Sequence, residues 1–445
     1  MTAPRSTLSR LAETLAGPEP AIIAAENGVA IGQHVVDTVA AWVAATATAE
    51  GRALIAFRGR AGDLAADVAT HCGLARLSEV DDIHIRSMVT PGSIVAPAAL
   101  TIAAAQKAAP EEIGAAIVGG YEAMIRLGLA VDGPMSLYRG IWPTYLAAPF
   151  GVAATAARLM KLDAERTAQA LSLALTMTAP GVGQQGGPAT ARWLAAGNAA
   201  RAGLNAAQAA SAGFAADLAL LDGPYFPKIY GITPALKAFA PAGAPAVLDT
   251  SFKPWCAARQ TMAATQAVRD VAKVVPVADI FEIEALVLPP HLKMIDHGVT
   301  AGDRMSFLTS LPYQIAIALL APDAALDIAK ASPVMTPEIV ALMGKVRVKA
   351  DEALLADYPA RWPARVVIKS MSGRHEYTCE HVPGDAERPL SAQALVDKFR
   401  GLAVPVAGDG RAEAMLDAAL HIVDEPAAAA HLLRDIEGLY SRAIN

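Results

Sequence analysis

The spacing of apolar residues is the feature of this sequence that most constrains its fold. Across residues 6–239 apolar side chains recur three and four positions apart, and almost no stretch alternates between apolar and polar residues. That period places apolar side chains on one face of a helix, so that successive helices can bury a shared core. The first half of the chain therefore predicts an all-helical domain.

The second half of the chain has a different pattern. Three segments combine β-branched residues with alternation, which is typical of strands: 280–287, 346–349 and 364–369. A helix is predicted between them at residues 310–320, and helical periodicity returns beyond Pro389. This part of the chain predicts an α+β unit.

The length of 445 residues exceeds what one ordinary core accommodates, which also favours more than one domain. The predicted fold class is mainly α with a smaller α+β domain. The predicted divisions are an all-helical domain over residues 1–265, an α+β domain over 266–395, and C-terminal helices over 396–445 that return to the helical domain.

Two helix starts are predicted from their capping residues. Asp163 precedes a run of helix formers, and Asn205 precedes Ala206 and Ala207. A short polar side chain at this position accepts a hydrogen bond from a free backbone N–H group of the first turn. Each residue is therefore predicted to begin a helix.

The charge balance and hydropathy exclude several classes of partner. A formal net charge of -6 provides no basic face for duplex nucleic acid, whose binding depends on many phosphate contacts. Residues 1–20 carry charges without a continuous apolar core, unlike a secretory signal. The longest uncharged run, 167–191, is broken by Pro180, by several glycines, and by Gln184 and Gln185, unlike a membrane span. A cytoplasmic protein with no nucleic-acid or membrane partner is predicted.

No metal or other cofactor is predicted. The three cysteines stand too far apart for a zinc site or a disulfide framework, and reduced structural thiols are expected: Cys72, Cys256 and Cys379. His291 and His297 are spaced too irregularly for a metal motif and are predicted near a strand end. The glycine-rich segment 181–187 lacks the strand and lysine of a phosphate-binding loop, and is interpreted as a flexible loop that lines a site.

The segment 79–93 has the composition of a functional site. Glu79, Asp81, Asp82 and His84 precede a Thr-Pro-Gly-Ser turn, and an alanine-rich helix is predicted to follow. Because adjacent side chains point in different directions, only one of Asp81 and Asp82 is expected to face a cleft. The other is expected to cap a helix.

Motifs along nearly the whole chain resemble the MmgE/PrpD family, which includes 2-methylcitrate dehydratase and cis-aconitate decarboxylase. Residues 79–93 resemble the family's D-x-D-D-T-H and H-P-G stretches, and residues 192–204 resemble its K-x-L-H-x-G-x-A-A-x-x-G-L pattern. The resemblance implies a large helical domain built from both chain ends, an α+β lid domain, a cleft between them and a homodimer. It also implies cofactor-free chemistry on a small polycarboxylate substrate.

Several site positions of the family carry other residues in this chain. Positions where the family has histidine are occupied by Thr90, Trp142, Ala195 and either Gln260 or Met262. Arg192 replaces a lysine, whereas Lys253 and Tyr313 match the family pattern. Most of the imidazoles expected from the resemblance are therefore missing.

The missing imidazoles bear on the reaction. A dehydratase must protonate a leaving hydroxyl as well as remove a carbon-bound proton, and histidine suits both tasks. An epimerase needs only a base and an acid, helped by cations that bind the substrate carboxylates. The leading hypothesis is a cofactor-independent epimerase of an iminodisuccinate-like acid. The alternatives are a hydro-lyase or decarboxylase acting on a citrate- or aconitate-like acid, and a catalytically silent protein that binds such acids.

Individual residues are assigned to these roles. The candidate proton carriers are Tyr145, His84, Lys253 and Asp81. The candidate substrate-binding residues are Arg192, Arg86, Arg259, Thr90, Gln260 and Tyr313. Arginine grips a carboxylate without exchanging protons, so Arg192 is expected to bind. Structural alternatives stay open: a core tyrosine at Tyr145, a core histidine at His84 and ordinary ion pairs for the arginines.

Overall fold

The computed structural model describes residues 5–58, 62–181, 189–240, 244–328 and 334–441. Within these ranges the helices are α1 (Thr7–Ala16), α2 (Glu19–Glu26), α3 (Gly28–Ala45), α4 (Ala49–Phe57), α5 (Leu64–Arg76), α6 (Gly92–Gln106), α7 (Pro110–Ala130), α8 (Gly133–Tyr138), α9 (Pro143–Leu159), α10 (Ala164–Thr176), α11 (Ala191–Ser211), α12 (Tyr225–Tyr230), α13 (Arg259–Ala272), α14 (Pro289–Ile295), α15 (Arg304–Thr309), α16 (Leu311–Leu320), α17 (Pro337–Met343), α18 (Ala392–Ala407), α19 (Asp409–Leu420) and α20 (Ala428–Glu437). The strands are β1 (Ile280–Val287), β2 (Val346–Ala350), β3 (Ala364–Ser370) and β4 (Gly373–Cys379).

The centre of the helical part is formed by α5, α7, α9 and α11. Helix α7 packs along α9, α9 packs along α11, and α11 packs along α5. Glycines allow the close approach of α7 and α9. A Cβ atom on Gly151 would lie 2.9 Å from Cβ of Met124, and one on Gly120 would lie 2.2 Å from Oγ1 of Thr155. A larger residue at either position would separate the two helices, because protein cores leave no space for extra atoms.

The four strands form one mixed sheet in the order β2–β1–β3–β4. Strand β1 runs parallel to β2 and antiparallel to β3, and β3 runs antiparallel to β4. Helix α13 packs against β3 and β4. The three predicted strands are present, and β4 is an additional strand at the edge of the sheet. The prediction of a mainly α fold with a smaller α+β part is confirmed.

The C-terminal helices pack against the first part of the chain. Helices α18 and α19 contact α3, and α20 contacts α6. A buried ion pair joins Lys398 of α18 to Asp37 of α3, and Lys398 Nζ also donates to the carbonyl of Val80 at 2.9 Å. Helix α18 thus supports the loop that carries the acidic site residues. The division of the chain at residues 265 and 395 stays a prediction.

Two helices, α3 and α7, are long and apolar enough to cross a membrane by length and composition alone. Within the described residues, 78% of the apolar window of α3 and 94% of that of α7 are buried inside the fold. Helices that are apolar on all sides are expected at the centre of a helical domain. Packing within the chain therefore accounts for their composition.

The two predicted helix starts have different outcomes. Asp163 caps α10, because its Oδ1 atom accepts the backbone N–H of Arg166 at 2.8 Å. That prediction is confirmed. The start at Asn205 is wrong, since Asn205 lies within the continuous helix α11. Leucine and alanine on either side are strong helix formers, and they outweigh the small cost of one asparagine.

We expect Asp163→Ala to lower the free energy of unfolding by about 1 kcal/mol, because the first turn of α10 loses the acceptor for the N–H of Arg166. Urea denaturation measures the change. Asp163→Asn is the matched control, since its amide oxygen still accepts this hydrogen bond. An equal loss in both variants would contradict the capping role.

Candidate active site

The loop between α5 and α6 carries the acidic residues of the site. Glu79 adopts a φ of 51°, in the left-handed region that residues with a Cβ atom rarely occupy. The conformation turns the chain between Glu79 and Asp81, and Lys398 holds the intervening Val80 carbonyl. Both acids are buried. The loop therefore holds two carboxylates inside the protein.

Asp82 anchors the same loop to the helical core. Its fully buried carboxylate accepts the backbone N–H of Gly92 at 2.7 Å, and the Tyr121 hydroxyl donates to it at 2.6 Å. The His34 Nδ1 atom lies 2.8 Å from the same carboxylate. Asp82 thus caps α6, as expected for one member of the adjacent pair, and Asp81 faces a different group of residues.

Two cations and two acids form a buried cluster, which we call the ion quartet: Arg76, Glu79, Asp81 and Lys253. The Arg76 guanidinium lies 2.7 Å from Glu79 Oε1 and 3.0 Å from Asp81 Oδ1. Lys253 Nζ lies 3.4 Å from a carboxylate oxygen of each acid. Buried charges are tolerated only when they are paired and hydrogen-bonded, and these four balance one another.

The pKa of Glu79 reflects this pairing. Burial alone would raise the pKa of the carboxyl group, but the charges of Arg76 and Lys253 outweigh burial and lower it. Glu79 is therefore ionised at neutral pH. The ion quartet is therefore a set of buried charges held in place by one another.

A cavity of about 40 Å³ opens beside the ion quartet. Its lining includes Arg76, Glu79, Lys253, Arg259, Gln260, Thr90, Thr144, Trp142, Met294 and Met305. The walls come from the helical part and from α13, α14 and α15. No histidine is among the described residues that line it. A volume of this size holds a few water molecules.

Tyr145 and Arg192 lie next to the ion quartet. Burial raises the pKa of the Tyr145 hydroxyl to about 12, although the charges of Arg76 and Arg192 partly oppose the rise. The Arg192 guanidinium stands over the Trp142 ring, 4.9 Å from its centroid, and Trp142 stacks on Tyr145. The structure thus brings Tyr145, Arg192, Lys253 and Asp81 together, although they are far apart in the sequence.

Arg259 approaches the cavity from the start of α13. Its side chain is 1% exposed, and Nη2 donates to both carboxylate oxygens of Asp385 at 2.8 and 2.7 Å. Arg76 and Lys253 likewise have acidic partners. A substrate carboxylate must therefore compete with internal acids for these three cations.

Two further predicted binding residues line the cavity. Thr90 is buried, and its hydroxyl lies 3.2 Å from the hydroxyl of Thr144 on α9. Gln260 follows Arg259 on α13. Both residues offer short polar groups to a ligand, in a region where the family resemblance leads one to expect imidazoles.

The structure places His84 and Arg86 outside this group. His84 Nδ1 accepts the backbone N–H of Ser87 at 3.2 Å and so caps a short 3₁₀ turn, while Nε2 lies 3.2 Å from Asp249. The Arg86 side chain is half exposed and pairs with the same Asp249. Neither side chain lines the cavity beside the ion quartet.

Tyr313 also lies apart from this cavity. It is buried beside Cys256 and Gln314, and its hydroxyl accepts the backbone N–H of Val334 at 3.1 Å. Burial raises the pKa of this hydroxyl. The loop predicted at residues 181–187 falls, after residue 181, outside the described residues.

The described part of the chain contains no group of three or more histidine, cysteine or acidic side chains arranged to hold a metal ion. Its three cysteines are buried free thiols. Burial raises the pKa of the Cys256 thiol to about 12 and that of Cys379 to about 11. These thiols are therefore poor nucleophiles at neutral pH.

Sequence reasoning did not assign a role to Arg76, although it contacts both acids of the ion quartet. A signal was present. Arg76 stands between Ala75 and Leu77 in an otherwise apolar run that ends α5, and it precedes Glu79 by three positions. A charge at a core-facing helical position requires a buried partner.

Comparison with known protein families agrees with this architecture. The MmgE/PrpD N-terminal domain matches residues 24–228, and the MmgE/PrpD C-terminal domain matches residues 255–422. The chain belongs to the MmgE/PrpD family. It is thus a member of an enzyme family of the dehydratase and isomerase type that acts on citrate-like acids. A comparison with curated proteins gives no match.

Proposed function

We propose that this MmgE/PrpD family member is a cofactor-independent epimerase of a small, iminodisuccinate-like polycarboxylic acid. One observation carries the proposal: Arg76, Glu79 and Lys253 of the ion quartet line a cavity whose described lining contains no histidine, and Tyr145 lies beside the quartet. Epimerisation moves a proton off and back onto a carbon α to a carboxylate, and no leaving group has to be protonated. Fixed cations and two proton carriers, a carboxyl group and a tyrosine hydroxyl, suffice for that reaction.

Arg192 is the proposed partner of the carboxylate next to the reacting carbon. Its guanidinium is held against Trp142 and stays charged throughout the physiological pH range. When the α proton leaves, negative charge moves onto the oxygens of that carboxylate. A fixed cation stabilises the transition state, in which this charge develops, more strongly than it stabilises the bound substrate. That difference lowers the activation barrier.

Asp81 and Tyr145 are the proposed proton carriers. Oδ1 of Asp81 pairs with Arg76 and Lys253, whereas Oδ2 is buried without a hydrogen-bond partner among the described residues. Oδ2 takes the α proton, so that the C–H bond breaks, an O–H bond forms and the electron pair stays on the substrate as an enolate. The Tyr145 hydroxyl then protonates the opposite face of the carbon.

A proton must return from Asp81 to the Tyr145 phenolate before the next turnover in the same direction. The pKa of about 12 keeps Tyr145 protonated at neutral pH, as a proton donor requires. In the reverse direction the two residues exchange roles, which is the behaviour expected of an epimerase with two carriers.

Incubation in heavy water with iminodisuccinate tests the proposed reaction. The carbon-bound proton is followed by nuclear magnetic resonance, and the stereoisomers are separated by chiral chromatography. Deuterium incorporation with inversion, and without release of water or carbon dioxide, is expected. The same incubation with citrate and cis-aconitate examines the alternative: release of water or carbon dioxide would favour a hydro-lyase or decarboxylase. Binding without exchange would indicate a silent binding protein.

We expect Arg192→Ala to raise the KM roughly 10- to 100-fold, because a charge-assisted hydrogen bond to a substrate carboxylate is lost. Steady-state kinetics with iminodisuccinate measure the change. Arg201→Ala is the matched control, since Arg201 is an exposed arginine on the same helix, α11. An unchanged KM for Arg192→Ala would exclude the proposed contact.

We further propose that the active form is a cytoplasmic homodimer. The family resemblance supports the dimer, and the negative net charge supports the expectation that neither nucleic acid nor membrane is a partner.

A further inference from the structure

We propose that Arg259 and His291 form a second subsite that binds a carboxylate distant from the reacting carbon, and that this subsite selects substrates by that group. The inference deepens the proposed function and rests on it for the identity of the ligand. Arg259 lines the cavity from α13, and His291 lies on α14, the helix whose Met294 lines the same cavity. Nothing in the epimerisation steps above uses either of them.

Arg259 has N–H groups that the protein does not satisfy. Its Nη2 atom is committed to Asp385, but Nε and Nη1 are buried and have no hydrogen-bond partner among the described residues. The ion pair with Asp385 fixes the orientation of the guanidinium plane. Arg259 lines the cavity, so a ligand there can reach its remaining donors. An arginine held in this way is organised before a ligand arrives.

His291 is a second buried polar group without a partner. Its side chain is 2% exposed, and its Nε2 atom has no hydrogen-bond partner among the described residues. Burial, together with the charge of Arg259, lowers the pKa of His291 to about 3, so the ring is neutral. A neutral imidazole with its proton on Nε2 is a hydrogen-bond donor.

Trp362 brings the two groups together. The Arg259 guanidinium carbon lies 5.8 Å from the centroid of the Trp362 ring, and the His291 ring lies 4.8 Å from it in an edge-to-face arrangement. The indole therefore limits where both side chains can point. Met294, one turn after His291 on α14, lines the cavity. Both side chains thus lie against one indole ring, next to a helix that contributes to the cavity wall.

The chemistry of these donors defines the ligand group. Buried donors are costly to leave unsatisfied, so the matching group must offer acceptors only. A carboxylate does so, whereas a carboxamide brings two N–H donors of its own. Because Asp385 already balances the charge of Arg259, discrimination depends on hydrogen bonding more than on net charge. A site built from donors rejects an analogue that presents donors in return.

Calorimetric titration with tricarballylate and with its terminal monoamide tests the subsite. Wild type is expected to bind the acid at least about ten-fold more tightly than the amide. His291→Phe preserves the ring against Trp362 but removes the nitrogen, and we expect it to weaken tricarballylate binding about ten-fold and to abolish the preference. His291→Gln restores a donor and should recover part of both. If His291 only packs against Trp362, His291→Phe should keep the affinity and the preference, and His291→Gln should lose them. His421→Phe, at the partly exposed histidine that directly follows α19, is the control.

Three results would overturn the subsite: no binding of tricarballylate to wild type, equal affinity of wild type for the acid and the amide, or an unchanged preference in His291→Phe. The heavy-water experiment with iminodisuccinate separates this inference from the proposed reaction. Proton exchange with an unaltered preference in His291→Phe would remove the subsite and leave the epimerase. A preference that depends on His291, without any proton exchange, would leave the subsite and remove the epimerase.

Discussion

Arg76→Met is expected to lower the free energy of unfolding by about 3–5 kcal/mol, because it removes one partner from a fully buried group of charges. The methionine side chain fills most of the vacated volume, so the loss arises from charge and not from a cavity. Glu79 and Asp81 would then share only Lys253, at 3.4 Å from each. Urea denaturation followed by circular dichroism measures the change.

A compensating substitution provides the control for Arg76→Met. In the double variant Arg76→Met with Glu79→Gln, one cation and one acid are removed together and the charges of the remaining pair balance. We expect this double variant to be more stable than Arg76→Met alone, because coupled charges are not additive. If Arg76→Met alone is as stable as wild type, these four residues do not form the buried quartet.

Tyr145→Phe is expected to lower kcat by roughly 100- to 10,000-fold, because general acid–base catalysis by a positioned side chain contributes a factor of that order. The KM should change little, since the hydroxyl transfers a proton and is not the main contact of the substrate. The free energy of unfolding should also stay close to that of wild type, because phenylalanine fills the same buried volume. Steady-state kinetics and urea denaturation measure the three quantities.

Tyr313→Phe is the matched control for Tyr145→Phe. Tyr313 is also a buried tyrosine, but its hydroxyl accepts a backbone N–H and it borders a different cavity. We expect its kcat to stay within a few-fold of wild type. If Tyr145→Phe retains full activity, the assigned proton donor is wrong, whatever Tyr313→Phe does.

The helical character of the first half, the helix at residues 311–320, the C-terminal helices and three of the four strands were predictable because they follow from local periodicity. Strand β4 was not predictable in the same way. Its sequence, Gly-Arg-His-Glu-Tyr-Thr-Cys, lies at the edge of the sheet and is exposed along most of its length. An edge strand with little buried surface carries no apolar alternation for a periodicity argument to detect.

The site was only partly predictable from the sequence. Lys253 and Glu79 are 174 positions apart, and no local pattern indicates that they meet. The family resemblance, not spacing, led to Lys253. His84 illustrates the reverse case: its neighbours have the composition of a site, but a local hydrogen bond to Ser87 uses its Nδ1 atom as a cap. Long-range pairing in the folded chain decided the first outcome, and a local cap decided the second.

The arginines show why type and position alone do not define a clamp. Arg86 and Arg259 were equally plausible as carboxylate-binding residues in the sequence. In the structure Arg86 is half exposed beside Asp249, whereas Arg259 is buried with Asp385, 126 positions away. The acidic partner and the degree of burial depend on tertiary packing, which the sequence pattern does not reveal.

A crystal structure of the protein soaked with iminodisuccinate tests the central claim most directly, because that claim is about which groups meet one ligand. We predict that one carboxylate will lie within hydrogen-bond distance of Arg192 and Lys253, with the adjacent carbon facing the Tyr145 hydroxyl. Ligand bound at another surface, or bound here with its α carbon turned away from both Tyr145 and Asp81, would contradict the proposed active site.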